Sequence, residues 1–199
     1  MRNNNVEIVG TIMNIHPTHE MEGEQFYGAE IATKRQSGYI DYIVLNVPAF
    51  ISKQMQEGCK YKILGEIRSR NVFVSGKRKV LHSVFVHCAE ETYEEDYSEV
   101  ELKCRIVSKR SLQRTKDGKD VVSAMCSVER TYDHVADYIP CVFWNRNAMK
   151  ASVLNKGAEL CIKGRVESRQ YLQTFDDDSI RDFISHSVVV NDFKIIKED

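Results

Sequence analysis

The chain has 199 residues, 42% of them hydrophobic, and its 28 basic and 29 acidic side chains leave a formal net charge of −1. This composition describes a globular protein of one large or two small domains, and it excludes a membrane-spanning helix, since no apolar run approaches the roughly 20 residues of a span. Met1-Arg2-Asn3-Asn4-Asn5 leads into no signal-type apolar region, so a cytoplasmic location without a membrane partner is expected. Cys59, Cys88, Cys104, Cys126, Cys141 and Cys161 form no Cys-x-x-Cys pair and mostly fall in strand-like runs, which predicts buried, reduced thiols without zinc or disulfides.

Taken in order, Val6–Ile12 alternates like a strand and is followed by a polar loop through Pro17 and Gly23. A run from Gln25 to Thr33, a turn at Ser37-Gly38 and a strand from Tyr39 to Val47 come next. Pro48 opens a helix over 49–56, with Gly58 just past its end. Tyr61–Ser69 is a strand, and 72–86 is a hairpin turning at Ser75-Gly76-Lys77. The charged stretch 90–98 has no apolar period and is expected to be a linker between domains at 1–89 and 99–199.

After the linker the pattern starts again. Val100–Ile106 repeats Val6–Ile12 at a spacing of 94 residues, while Gly157 and Gly164 repeat Gly58 and Gly65 at a spacing of 99. A repeat of about 90 to 100 residues is a duplicated domain, too long for a solenoid unit. Each copy reads β-β-β-α-β-β. The expected fold is all-β with short helices, as two tandem OB-fold five-stranded Greek-key barrels, which close the sheet and hide its edges.

The stretch 137–171 carries the functional signal. Strand parity puts Ile139, Cys141 and Phe143 on one face and Tyr138, Val142 and Trp144 on the other. In the next strand Leu160, Ile162, Gly164 and Val166 face one way, and Lys163, Arg165, Arg169 and Tyr171 the other. Rings for base stacking beside cations for phosphates are what a single-stranded nucleic acid requires. A sheet apolar on both faces, or one buried against another subunit, meets the same parity. The near-neutral total charge weakens a nucleic-acid reading without excluding it, since a local basic stripe is sufficient to attract phosphate.

The second copy resembles the bacterial single-stranded DNA-binding protein family over most of 99–196. The resemblance rests on Val100–Ile106 as the opening strand, Thr115-Lys116-Asp117-Gly118-Lys119 as a turn, Ser127–Tyr132, Asp137–Trp144, Asn147-Ala148 at the helix start, Lys156-Gly157 and Gly164-Arg165-Val166. It implies base stacking on Tyr132, Tyr138, Trp144 and Tyr171. Arg130, Lys163, Arg165 and Arg169 are placed beside phosphates by parity. Cys104 and Asn145 stand where the family usually has glycine. In the first copy the glycine register matches Tyr39 to Tyr138, Leu45 to Trp144 and Val72 to Tyr171, a depleted platform in which Phe73, Tyr27 or Tyr42 could stand in. Lys77, Arg78 and Lys79 at the hairpin tip are phosphate candidates there, or an ordinary solvated turn.

The family usually assembles four OB folds, so a two-domain chain is expected to be a homodimer. The family also commonly ends in a tail with an acidic tip, whereas Lys194–Asp199 follows the last strand directly, so a recruitment-hub role is not expected. Asp176-Asp177-Asp178 reads as a solvated loop and His16-Pro17-Thr18-His19 lacks zinc spacing. No cofactor is expected. No nucleophile stands with a base, so an enzyme is not expected. The leading reading is a single-stranded DNA binder in replication, recombination or repair. RNA stands beside DNA as a ligand, because stacking accepts both sugars. The alternative is a primosome- or conjugation-type interaction accessory that kept the fold.

Overall fold

The computed structural model describes residues 3–74, 77–131, 135–174 and 180–197. The first copy supplies β1 (Asn4–Met21), β2 (Glu24–Lys34), β3 (Ile40–Pro48), α1 (Ala49–Ser52), β4 (Lys60–Val74) and β5 (Lys77–Glu91). The second supplies β6 (Tyr97–Lys109), the short β7 (Gln113–Arg114), β8 (Asp120–Glu129), β9 (Ala136–Trp144), α2 (Arg146–Ser152), β10 (Glu159–Thr174) and β11 (Ile180–Lys197).

The chain forms two compact units. The N-unit comprises Glu7–Ser98 with Glu167–His186, and the C-unit Met1–Val6, Glu99–Val166 and Ser187–Asp199. In the N-unit the strand order runs β1-β2-β3-β5-β4 and returns to β1, with β3 and β5 parallel. In the C-unit it runs β6-β8-β9-β11-β10 and returns to β6, with β9 and β11 parallel. Both are closed five-stranded OB barrels. Ile8, Ile12, Ile31, Ile43, Leu45 and Ile63 fill the first, and Leu102, Ile106, Ile139, Phe143 and Leu160 the second, all fully buried. Each such side chain stabilises its barrel by about 1.5–3 kcal/mol.

Gly65 and Gly164 are equivalent by environment. A Cβ on Gly65 would lie 2.3 Å from Phe85 O, and one on Gly164 2.3 Å from Val189 O, so neighbouring backbone excludes any side chain at either place. The strand before each helix follows a different register. Leu45 pairs with Val84 and Cys141 with Val188, and these two valines lie against Gly65 and Gly164. Leu45 therefore corresponds to Cys141, a spacing of 96 rather than 99. Tyr42, not Tyr39, stands at the position of Tyr138, and Pro48, not Leu45, at that of Trp144. The cause is helix length: α1 has 4 residues and α2 has 7.

Three further expectations are corrected. The loop through Pro17 is strand: His16 pairs with Gly28 and Pro17 with Tyr27, with register shifts on either side that accommodate a residue without an N–H. The helix expected over 49–56 stops at Ser52. Of the six cysteines, only Cys104, Cys126 and Cys141 are buried; Cys59 and Cys88 are half-buried and Cys161 is exposed. Hydrogen bonding to Cys126 and burial together push the Cys104 and Cys141 thiols up. The acidic connection is pinned within the N-unit. Asp96 pairs with Lys60 at 2.7 Å and accepts from Lys34 N at 2.8 Å.

A buried carboxylate marks the start of the third strand in both barrels. Asp41, 1% exposed, accepts from Arg35 Nε and Nη2, both at 2.5 Å. Asp137, fully buried, accepts from Arg130 Nε at 2.8 Å and Nη2 at 2.9 Å. In the N-unit, Glu167, Ser168 and His186 meet this place. Ser168 donates to Asp41 Oδ1 from its backbone N at 2.6 Å and its Oγ at 3.2 Å. Tyr42 N donates to Ser168 Oγ at 3.0 Å, and His186 Nε2 donates to Tyr42 O at 3.0 Å. Glu167 pairs with Arg35 at 3.2 Å.

Candidate nucleic-acid interface

The outer face of the C-unit is built from β6, β8, β9 and β10. On β9, Ile139, Cys141 and Phe143 turn into the barrel and are buried, which forces Tyr138, Pro140, Val142 and Trp144 outward. The register with β8 sets Ser127 opposite Tyr138, Met125 opposite Pro140, Ser123 opposite Val142 and Val121 opposite Trp144. Tyr138 is 46% exposed and Trp144 half-buried. Six residues of strand place them about 20 Å apart, at roughly 3.3 Å per residue. They can serve separate bases along one chain but not adjacent ones.

β10 adds the cations. Leu160, Ile162, Gly164 and Val166 are buried, so Lys163 and Arg165 face outward, as do Glu159 and Cys161. Lys163 lies opposite Glu101 on β6 and pairs with it at 2.5 Å, with both side chains mostly in water. That hydrogen bond and the charge of Glu101 raise the Lys163 pKa. Arg165 Nη1 donates to Asn191 Oδ1 at 3.1 Å. Arg105 pairs with Glu159 at 2.6 Å. Lys103 and Arg105 share this face, a placement that β6 parity would have revealed. The cations are thus interleaved with carboxylates, giving a mixed surface instead of a uniformly basic one. Arg130 belongs to the same copy, but its guanidinium is held by Asp137.

The remaining predicted residues divide between the N-unit and the undescribed positions. Arg169 and the 40%-exposed Tyr171 lie on β10 within the N-unit. So does the β4–β5 arm, where Val72 pairs with Lys79, Phe73 with Arg78 and Val74 with Lys77. Arg78 is exposed and Nε donates to Asn71 Oδ1 at 2.9 Å; Lys79 is half-buried. Tyr132 and Asp176–Asp178 lie outside the described residues. In the first copy Tyr42 is half-buried and Pro48 buried, so β3 has no exposed ring pair like that of β9. Tyr39 is exposed, and the Arg35 guanidinium lies 4.8 Å from its ring centre.

His16 Nδ1 donates to Asn14 O at 2.8 Å, and His19 stacks on Phe26 with ring centres 5.1 Å apart. Among the described residues no three His, Cys, Asp or Glu side chains converge as metal ligands, and no helix is long and apolar enough to cross a membrane.

The profile of the single-strand binding protein family matches residues 97–196, just over half of the chain. The chain belongs to the single-strand binding protein family. Its fold is similar to the wild-type single-stranded DNA binding protein of Thermus aquaticus, with a TM-score of 0.76 at 16% identity, covering 98% of this chain and 94% of that one. A deletion mutant of the same Thermus aquaticus protein gives a TM-score of 0.75 at 17% identity, with 98% and 95% covered. No curated protein matches this sequence. Family membership rests on the second copy, and the likeness of fold extends over both. β9 and its outward rings therefore lie within the matched segment, while the β4–β5 arm lies outside it.

Proposed function

We propose that this protein binds single-stranded DNA with little sequence preference, in replication, recombination or repair. Bases stack on Tyr138 and Trp144, and on Tyr132 and Tyr171 where the strand reaches them. Lys163, Arg165, Arg169, Lys77, Arg78 and Lys79 meet phosphates. Arg130 holds Asp137 and contributes to the shape of the β8–β9 end more than to the ligand. The observation that carries this reading is the row of outward side chains on β9, an exposed tyrosine and a half-exposed tryptophan over a fully buried inner row, in a member of this family. Two OB barrels per chain support a homodimer with four. The work is binding, with no chemical step. The interaction-accessory reading is not favoured, because it leaves the outward rings of β9 without a ligand.

Titration with oligo-dT of a few tens of nucleotides tests the reading through Trp144, the only tryptophan. Quenching that weakens with salt, with a slope of roughly −0.7 in log K per phosphate neutralised, is the expected result. Absence of binding at low salt overturns it.

A further inference from the structure

The connection from β5 to β6 presents a ring that neither the barrel core nor the base-stacking row of β9 accounts for. Tyr93 is 97% exposed, the most open large apolar side chain among the described residues. It lies between Glu91, where β5 ends, and Tyr97, where β6 begins. The backbone around it is fixed. Thr92 N donates to Lys60 O at 3.0 Å, Glu94 N to Thr92 Oγ1 at 3.2 Å, and Lys60 Nζ to Glu94 O at 3.2 Å. A ring held in water adds nothing to hydrophobic burial. Nor does its setting suit a nucleic acid. From Val80 to Leu102 the sequence has seven carboxylates and no lysine or arginine, and Glu91, Glu94 and Glu95 beside the ring repel phosphates. The cations that meet this connection, Lys60 and Lys62, are paired with Asp96 at 2.7 Å and with Glu7 at 2.8 Å. Tyr97 supplies a contrast in the same acidic setting. It is half-buried, its hydroxyl donates to Glu7, and Lys62 Nζ lies 5.8 Å from its ring centre.

An open phenol among carboxylates matches a protein partner that receives a tyrosine in a basic groove, and charge patterns of this kind set which substrates a kinase accepts. We infer that Tyr93 is the phosphoryl acceptor of a tyrosine kinase with a basic substrate groove. Tyr93 Oη bonds to the γ-phosphorus of a nucleoside triphosphate while the bond from that phosphorus to the β–γ bridging oxygen breaks. The nucleoside diphosphate leaves, and the phenolic proton passes to the kinase's catalytic base. The product carries about 1.5–2 further negative charges at pH 7 on an already acidic connection. The inference is independent of the single-stranded DNA reading, which uses neither Tyr93 nor this connection.

The test incubates the full chain with MgATP and a tyrosine kinase that prefers acidic flanks, its activity confirmed on a glutamate–tyrosine copolymer, and locates phosphotyrosine by mass spectrometry. A synthetic peptide of residues 88–101 serves as the unfolded reference, because it contains both tyrosines without Glu7 or Lys62. The peptide is expected to take phosphate on Tyr93 and on Tyr97, and the folded chain on Tyr93 and not on Tyr97. Tyr93→Phe is expected to abolish that phosphate and, since the ring stands in water, to leave circular dichroism and the thermal midpoint unchanged. Glu91→Gln with Glu95→Gln is expected to slow transfer to Tyr93, and an unchanged rate overturns the basic groove. A peptide modified at Tyr93 beside a folded chain that is not overturns the inference, because the connection then does not present the ring. A peptide left unmodified overturns it too, because the acidic flanks then make no substrate, and so does equal transfer to Tyr93 and Tyr97 in the folded chain. Failure of the natural protein to bind oligo-dT overturns the proposed function alone.

Discussion

Replacing Asp41 by asparagine isolates the contribution of the buried carboxylate in the N-unit. Asp41 Oδ1 accepts three hydrogen bonds, from Arg35 Nη2, Ser168 N and Ser168 Oγ, and Oδ2 accepts one from Arg35 Nε. Asparagine has nearly the same shape. If its oxygen takes the Oδ1 position, its NH2 points at Arg35 Nε–H, donor against donor, and the guanidinium keeps only Glu167, at 3.2 Å, as a counter-charge. Breaking a buried pair by removing one partner costs about 3–5 kcal/mol. The three bonds kept at Oδ1 put Asp41→Asn at the lower end, about 3 kcal/mol. With a urea dependence of about 3 kcal/mol per M, the midpoint of the N-unit transition falls by about 1 M. Circular dichroism in urea reads the midpoint, and hydrogen exchange at Ser168 N reads the local consequence. Ser168→Ala removes only the Oγ contacts and should cost about 1 kcal/mol. A loss below about 1 kcal/mol for Asp41→Asn, with Ser168 N still protected, would refute the assignment of Asp41 as the anchor for Glu167–His186.

Four other outcomes are expected. Tyr138→Ala with Trp144→Ala should weaken oligo-dT binding by about 1–3 kcal/mol per ring lost, read by polarisation because the fluorophore is gone, with circular dichroism unchanged. Glu101→Gln frees Lys163 and should raise affinity at low salt, whereas Lys163→Gln should lower it and flatten the salt slope; equal affinities would show that Lys163 meets no phosphate. Burial lowers the pKa of His186, so the folded state binds fewer protons there than the unfolded chain. Its contribution is complete above the unfolded value of about 6.5 and is lost as pH falls through the depressed folded value. Thermal scans between about pH 7.5 and 5 should show a slope that His186→Gln reduces. Asn145 precedes α2 at φ 49° and ψ −117°, a conformation suited to glycine, so Asn145→Gly should raise stability by about 1 kcal/mol in a urea titration.

Parity carried most of what the sequence revealed. Alternation along 137–144 and 160–166 separated buried from outward side chains correctly because each strand has one barrel-facing side. The glycine pairs located the duplicated fourth strands because close backbone approach at Gly65 and Gly164, and positive φ at Gly58 and Gly157, favour glycine. The same glycines misled the reading upstream of the helix, where three extra residues in α2 shift the register and moved the tyrosine match from Tyr42 to Tyr39. Asp41 and Asp137 would have given the right alignment, but an isolated aspartate at a strand start looks like an ordinary polar end until its burial is known. Ion pairing was hidden as well. Glu101 and Lys163 are 62 residues apart, and only the β6–β10 register brings them together.

Ser168 and His186 are encoded with the second repeat but hydrogen-bond to Asp41 and Tyr42 on the barrel of the first. A polypeptide ending in the acidic connection would leave Asp41 without Ser168 and Tyr42 without His186, whereas a separate polypeptide of the second half could restore both by binding it. With the copies joined in this way, a buried carboxylate of the first is satisfied in part by a residue 127 positions downstream, so the stability of one half is no longer independent of the other.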